Sequence, residues 1–161
     1  MKKQGLTLEI PGWGTLAAKQ ALFDLNGTLA TDGILSGTVK EKLKLLQEIL
    51  AVYVVTADTH GTAADMAKEC EGLQIARIES GEEAEQKSEI LENLGASQTV
   101  AFGNGANDTL MLRKARLGIC VMHGEGTSLQ ALMASDLFVA SAEEALDLLL
   151  KPARLVATLR S

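Results

Sequence analysis

From residue 20 onward, short apolar runs alternate regularly with helix-length amphipathic segments, and this pattern constrains the fold more than any other feature of the chain. Ala21-Leu22-Phe23-Asp24-Leu25 reads as a buried strand. Ser36 is placed to cap a helix running to about Leu50, with Val39, Leu43, Leu46 and Leu50 on one face. A strand over Ala51 to Val55 follows, then a helix over Ala63 to Cys70 that Asp58 or Thr59 can cap. Next come a strand at Leu73 to Ile78 and a helix from Glu82 to Leu94 ended by Gly95. The pattern continues with a strand at 99–102, a helix at 108–115, a strand at 118–122, a helix at 128–134 and a strand at 137–139. A helix over Ala142 to Leu150 and a last helical piece over Ala153 to Leu159 complete it. Short apolar strands, each followed by a helix, predict an α/β fold with a parallel sheet covered on both faces. Ahead of this pattern, Leu6 to Ile10 alternates, Pro11-Gly12-Trp13-Gly14 signals a turn, and Thr15 to Ala18 can return. Residues 5–19 therefore predict an N-terminal β-hairpin.

With 161 residues the chain suits a single domain over 1–161. Hydrophobic residues make up 47%, but aromatics only 3%, so there is no base-stacking platform. The net charge is −6 and no Lys/Arg cluster could track a phosphate backbone, which excludes nucleic acid as the expected partner. Met1-Lys2-Lys3-Gln4-Gly5 does not open a signal-peptide core, and no apolar run is long enough to span a bilayer. The expected setting is cytoplasmic, without a membrane. Cys70 and Cys120 lie far apart with no CxxC spacing, which suits two thiols in a reducing compartment.

In open parallel sheets ligands bind beyond the carboxyl ends of the strands. That rule nominates the loops at Asp24 to Thr28, Thr56 to Gly61 and Gly103 to Asp108, together with the region near Lys87. Each has an ordinary reading on its own. Asn26-Gly27 is a turn dipeptide, Asp58 or Thr59 a helix cap, Lys87 a solvated helical lysine, and Asn107 or Asp108 another cap. Each also has a chemical reading. Thr56 and the amides after it can hold an anion. Gly103 and Gly105 let backbone approach a ligand closely. Asn104, Asn107 and Asp108 offer hard oxygens of the kind that suit Mg²⁺.

Taken in order, these pieces resemble the haloacid-dehalogenase-like superfamily over nearly the whole chain, and most closely the phosphorylation domain of P-type ATPases. The DKTGTLT pattern of that domain is met by Asp24-Leu25-Asn26-Gly27-Thr28-Leu29-Ala30, and its TGD by Thr56-Ala57-Asp58. Its GDGVNDAPAL is met by Gly103-Asn104-Gly105-Ala106-Asn107-Asp108-Thr109-Leu110-Met111-Leu112. The chain is also similar to small soluble P-type-ATPase-like proteins. The resemblance implies a three-layer Rossmann-like sheet without a separate cap domain. It implies a Mg²⁺-dependent hydrolase of phosphatase type, with Asp24 as the nucleophile that forms an aspartyl-phosphate. The carboxylate of Asp24 and the backbone carbonyl of Asn26 would ligate Mg²⁺, with Asn104 and Asp108 completing the metal set. Gly27, Thr56, Ala57 and Asn107 would bind the phosphoryl group. Lys87 would neutralise its charge, and Asp108 would serve the metal or anchor Lys87.

Two departures bear on turnover. Phosphatases of the superfamily carry an Asp two residues after the nucleophile as general acid and base, and here Asn26 takes that catalytic position. An amide cannot shuttle a proton, and that help is worth on the order of 10²–10⁴-fold. Asn104 likewise replaces an acidic metal ligand, which predicts weaker metal binding. The short stretch between Asp24 and Thr56 leaves no room for a nucleotide-binding domain, so ATP-driven transport by this chain alone is excluded. The site is then open, unless a neighbouring subunit or the N-terminal hairpin covers it, and an open site hints at a homo-oligomer. The expected substrate is a small phosphorylated molecule. The alternatives are a low-turnover phosphate-binding or regulatory module, or an accessory partner of another protein.

Other residues read plainly. His60 and His123 fall outside the motifs, Trp13 packs at its turn, and the acid-rich run 79–89, apart from Lys87, is a solvated helix start.

Overall fold

The computed structural model describes residues 2–57 and 61–161. Two strands, β1 (Leu6–Ile10) and β2 (Gly14–Ala18), form the expected antiparallel hairpin. The next strands are β3 (Gln20–Asp24), β4 (Ala51–Thr56) and β5 (Gln74–Arg77), followed by β6 (Thr99–Gly103), β7 (Leu117–Val121) and β8 (Leu137–Val139). These six make one parallel sheet in the order β5-β4-β3-β6-β7-β8. The helices are α1 (Gly37–Ile49), α2 (Thr62–Glu69), α3 (Glu83–Leu94), α4 (Thr109–Lys114), α5 (Leu129–Ala134), α6 (Ala142–Leu150) and α7 (Pro152–Leu159).

Strand residues point alternately to two cores, one on each face of the sheet. Ala21, Phe23, Val52, Val54, Val100, Phe102 and Ile119 meet Val39, Leu43 and Leu46 of α1 and Leu146 and Leu149 of α6. Phe23 and Phe102 stack there with centroids 4.3 Å apart. Leu22, Val55, Ala101 and Cys120 face the other way, onto Leu91 of α3 and Met111 and Leu112 of α4. Because both faces are buried, the central strands β3, β4, β6 and β7 are largely apolar rather than alternating apolar with polar.

Local signals set most helix ends. Ser36 and Ser141 cap α1 and α6 by accepting from the amides of Val39 and Glu144, and Gly95 ends α3 at φ 95°. Helix α2 differs from expectation, because its N-cap position is Gly61, at φ 73° and without a side-chain bond. The proposed caps Asp58 and Thr59 lie outside the described residues, as does His60. Cys70 and Cys120 are buried free thiols. Among the described residues, no helix is long and apolar enough to cross a membrane.

The hairpin packs at the amino ends of the strands. The Gly5 amide donates to the carbonyl of Ile49, just before β4, and that of Lys19 to the carbonyl of Gln98, just before β6. Arg116, just before β7, donates to the Thr15 carbonyl at 2.7 Å and lies over the Trp13 ring at 3.9 Å. The hairpin therefore lies at the opposite end of the sheet from Asp24. It does not cover the loops beyond the carboxyl ends, contrary to the option left open by the sequence.

Candidate active site

Asp24, Thr56 and Gly103 are the last residues of three adjacent strands, β3, β4 and β6. Their loops therefore emerge side by side around Asp24. After Asp24 the chain coils tightly, because the amides of Thr28, Leu29 and Ala30 all donate to the carbonyl of Leu25, and that of Gly27 to Ala30. Leu25, Leu29 and Ala30 are buried in the core below and anchor this turn. Gly27 sits at φ 82°, and a Cβ there would meet Asn104 Nδ2 at 2.4 Å. The turn and the Asn104 loop are thus in direct contact.

Lys87 is almost wholly buried, at 2% exposure, and not the solvated lysine that its place on a helix suggests by itself. Its Nζ donates to Asp24 Oδ1 at 2.8 Å and to Asp108 Oδ1 at 2.7 Å, with a longer contact of 3.5 Å to Asn107 Oδ1. Asp108 is fully buried, and its Oδ2 accepts from the amides of Asn104 and Gly105, both at 3.0 Å. Both of its oxygens are thus engaged within the protein. Gly103 makes this possible, because a Cβ there would come within 2.6 Å of the Asp108 side chain. That glycine makes room for an aspartate rather than for a ligand.

Burial raises the carboxyl of Asp24, the charge of Asp108 raises it further, and Lys87 pulls it only part of the way back, leaving it at about 7. Burial also works against the charge of Lys87, but Asp24 and Asp108 together outweigh that effect and hold it above the ordinary lysine range.

A cleft of about 340 Å³ opens over this pair. It is lined by Asp24, Asn26, Gly27, Thr56, Ala57, Lys87, Asn104 and Asn107, all of them picked out in the sequence. Asp108 lies behind it rather than in its lining. Two carboxylates that the motifs do not mark, Glu83 and Glu125, also line it. Glu83 is half-buried and accepts from Asn107 Nδ2 at 2.6 Å, so it is not part of a merely solvated helix start. Its spacing of four residues before Lys87 on one helix was the available signal. Glu125 comes from the loop after β7, where no local pattern marks it. His123 is outside the cleft lining, with Nε2 2.9 Å from Thr31 Oγ1.

The donor set suits a hard cation such as Mg²⁺. Asp24 Oδ2 and Asn104 Oδ1 converge on one hydroxyl, that of Thr28, at 3.2 and 3.3 Å. A hydroxyl has a single proton, so these two oxygens cannot both be served by it. A cation between them would satisfy both, with the Asn26 carbonyl in the adjoining turn. The set is weak in charge, and among the described residues no three His, Cys, Asp or Glu cluster as a metal cage.

The chain is 41% identical over 92 residues to an uncharacterised protein of Methanocaldococcus jannaschii, covering 55% of this chain and 99% of that protein. It is 28% identical over 124 residues to a soluble P-type ATPase-like phosphatase of the same organism, covering 75% of this chain and 45% of that one. A phospholipid-transporting ATPase IC of Xenopus tropicalis matches at 30% identity, over 62% of this chain and 8% of its own length. In fold, the chain matches 3-deoxy-D-manno-octulosonate 8-phosphate phosphatase of Moraxella catarrhalis, crystallised with magnesium, phosphate and KDO. The TM-score is 0.67 at 20% identity, covering 89% of this chain and 94% of that one. The chain has a haloacid-dehalogenase-like fold and is similar in sequence to a soluble P-type ATPase-like phosphatase. A cobalt-bound octulosonate 8-phosphate phosphatase of Haemophilus influenzae shares this fold, with a TM-score of 0.65 at 16% identity over 89% of this chain and 94% of that one. No family model matches the chain. It spans less than half the length of the soluble phosphatase and a small part of the ATPase. The six-stranded sheet carries Asp24, Thr56 and Gly103 at the carboxyl ends of three neighbouring strands, with Lys87 and Asn107 reaching the same cleft.

Proposed function

We propose that this chain is a Mg²⁺-dependent phosphohydrolase acting on a small phosphorylated molecule through an aspartyl-phosphate on Asp24. The observation that carries this reading is the buried Asp24–Lys87–Asp108 ion-pair chain beneath a cleft edged by Thr56 and Asn107. One carboxylate oxygen of Asp24 attacks phosphorus, with Lys87 Nζ beside Oδ1 at 2.8 Å. The new aspartyl O–P bond forms as the ester P–O bond breaks, and the leaving oxygen takes a proton from solvent. Water then attacks the same phosphorus as the aspartyl O–P bond breaks, giving up a proton to solvent, which releases phosphate and restores the carboxylate. Thr56, the Ala57 amide and Asn107 hold phosphoryl oxygens, and Lys87 offsets their charge. In this scheme Asp108 anchors Lys87 and the Asn104–Gly105 amides rather than binding metal, because both of its oxygens are already engaged. Bound Mg²⁺, held by Asp24, the Asn26 carbonyl and Asn104, would supply charge neutralisation. The site works without a cap, and turnover is slow because Asn26 cannot move a proton.

A second reading, a phosphate-binding module with little turnover, is favoured by Asn104, whose Nδ2 is tied to the Gly126 carbonyl at 3.0 Å. The test is phosphate release from a panel of phosphate esters and acyl phosphates, with and without Mg²⁺, for wild type and Asp24→Asn. Mg²⁺-dependent release that vanishes in the variant supports the phosphohydrolase. Binding of phosphate without release from any compound would favour the module.

A further inference from the structure

We propose that this site selects phosphate monoesters with a neutral or cationic leaving group and rejects those carrying a second acidic group. The selectivity resides in Glu83 and Glu125, and the proposal rests on the phosphohydrolase reading above. Of the described residues that line the cleft, Lys87 is the only cation, and its charge is already shared between Asp24 at 2.8 Å and Asp108 at 2.7 Å. Apart from Asp24, the carboxyl side chains in the lining, among the described residues, are Glu83 and Glu125. Beyond the phosphoryl and metal positions, a carboxylate on the leaving group would meet no further cationic side chain among the described residues, and two like charges. A hydroxyl or ammonium group would meet two acceptors.

Glu83 is held at the cleft by a side-chain bond, and the exposed Glu125 is placed there by its loop. Glu83 sits in the first turn of α3, one turn before Lys87, and its Oε2 is fixed by Asn107 Nδ2 at 2.6 Å. Glu125 lies on a loop stitched to the site at two points. Asn104 Nδ2 donates to the Gly126 carbonyl at 3.0 Å, and the Ser128 amide donates to the Asn104 carbonyl at 2.8 Å. An aspartate at position 104 could not make the first of these bonds, since it has no N–H to donate. The cleft, at about 340 Å³, leaves a small leaving group close to both carboxylates. A like charge within about 6 Å, at a dielectric between those of surface and bulk water, changes binding by about three- to a hundredfold.

The test compares kcat/KM for glycerol 3-phosphate and 3-phosphoglycerate at equal free Mg²⁺. The wild type is expected to prefer glycerol 3-phosphate by about tenfold or more at low ionic strength. That preference is expected to shrink as salt is raised, and to shrink in Glu83→Gln, in Glu125→Gln and further in the double variant. Equal release from both esters, still Mg²⁺-dependent and lost in Asp24→Asn, would overturn this inference and leave the phosphohydrolase reading standing. A preference unchanged by salt or by both substitutions would overturn the assignment to these carboxylates. Release from neither ester, nor from the wider panel, would overturn the phosphohydrolase reading and this inference with it.

Discussion

Asp24 is buried beside Asp108, and both effects push its carboxyl up to about 7 against an ordinary value of 3.8. Between these values the native chain keeps a proton that the unfolded chain has lost, so stability falls as pH rises from about 4 to about 7. Asp24→Asn removes that ionisation. In metal-free protein the variant is expected to gain on the wild type as pH goes from 5 to 8, by at most about 3 kcal/mol. Urea unfolding at several pH values measures the gap, and a gap independent of pH would contradict the burial argument. Asn26 makes the opposite case, since it is exposed in the cleft and costs the fold little. Asn26→Asp is expected to raise phosphate release on the order of 10²-fold. No rise would place the obstacle in the metal site or the turn. At this scale Asp24, Asn26, Thr56 and Asn107 were legible because each sits in a motif at a strand end or in the loop beyond it. The burial of Lys87 was not legible from its helix alone, since it depends on carboxylates 63 and 21 residues away in sequence. Glu125 had no local signal, because its position is set by a loop tied to Asn104.

The elements were readable wherever a local rule governs them. Ser36 and Ser141 cap their helices through their own hydroxyls, and Gly95 ends α3 in the left-handed region. Helix α2 breaks the rule, because it begins after a glycine with no side-chain cap, and cap chemistry in the sequence pointed earlier in the chain. The loop from Met122 to Ser128 depends on a tertiary bond instead, that of Asn104 Nδ2 to Gly126. Asn104→Asp is expected to raise Mg²⁺ affinity by adding charge and to loosen this loop by removing the donor. Hydrogen exchange of 122–128 is expected to quicken in the metal-free variant. Unchanged exchange would mean that the Ser128 bond alone holds the loop.

For the whole molecule, the alternation of apolar strands and helices was enough to give a parallel sheet covered on both faces. It could not say at which end the hairpin docks, since that depends on contacts from Gly5, Lys19 and Arg116 to distant strand starts. Trp13, half-buried under the Arg116 guanidinium, belongs to this far end. Trp13→Ala is expected to cost about 1–2 kcal/mol of stability and to leave kcat unchanged. A fall in kcat in the folded variant would mean that the two ends of the sheet are coupled. The central claim concerns the other end, and trapping the covalent intermediate tests it most directly. The protein is incubated with acetyl phosphate and Mg²⁺, quenched in acid, and examined by intact-mass and peptide mass spectrometry. The account predicts one phosphoryl group on the peptide carrying Asp24, removed by hydroxylamine and absent in Asp24→Asn. Phosphate release with no adduct, undiminished in Asp24→Asn, would contradict it.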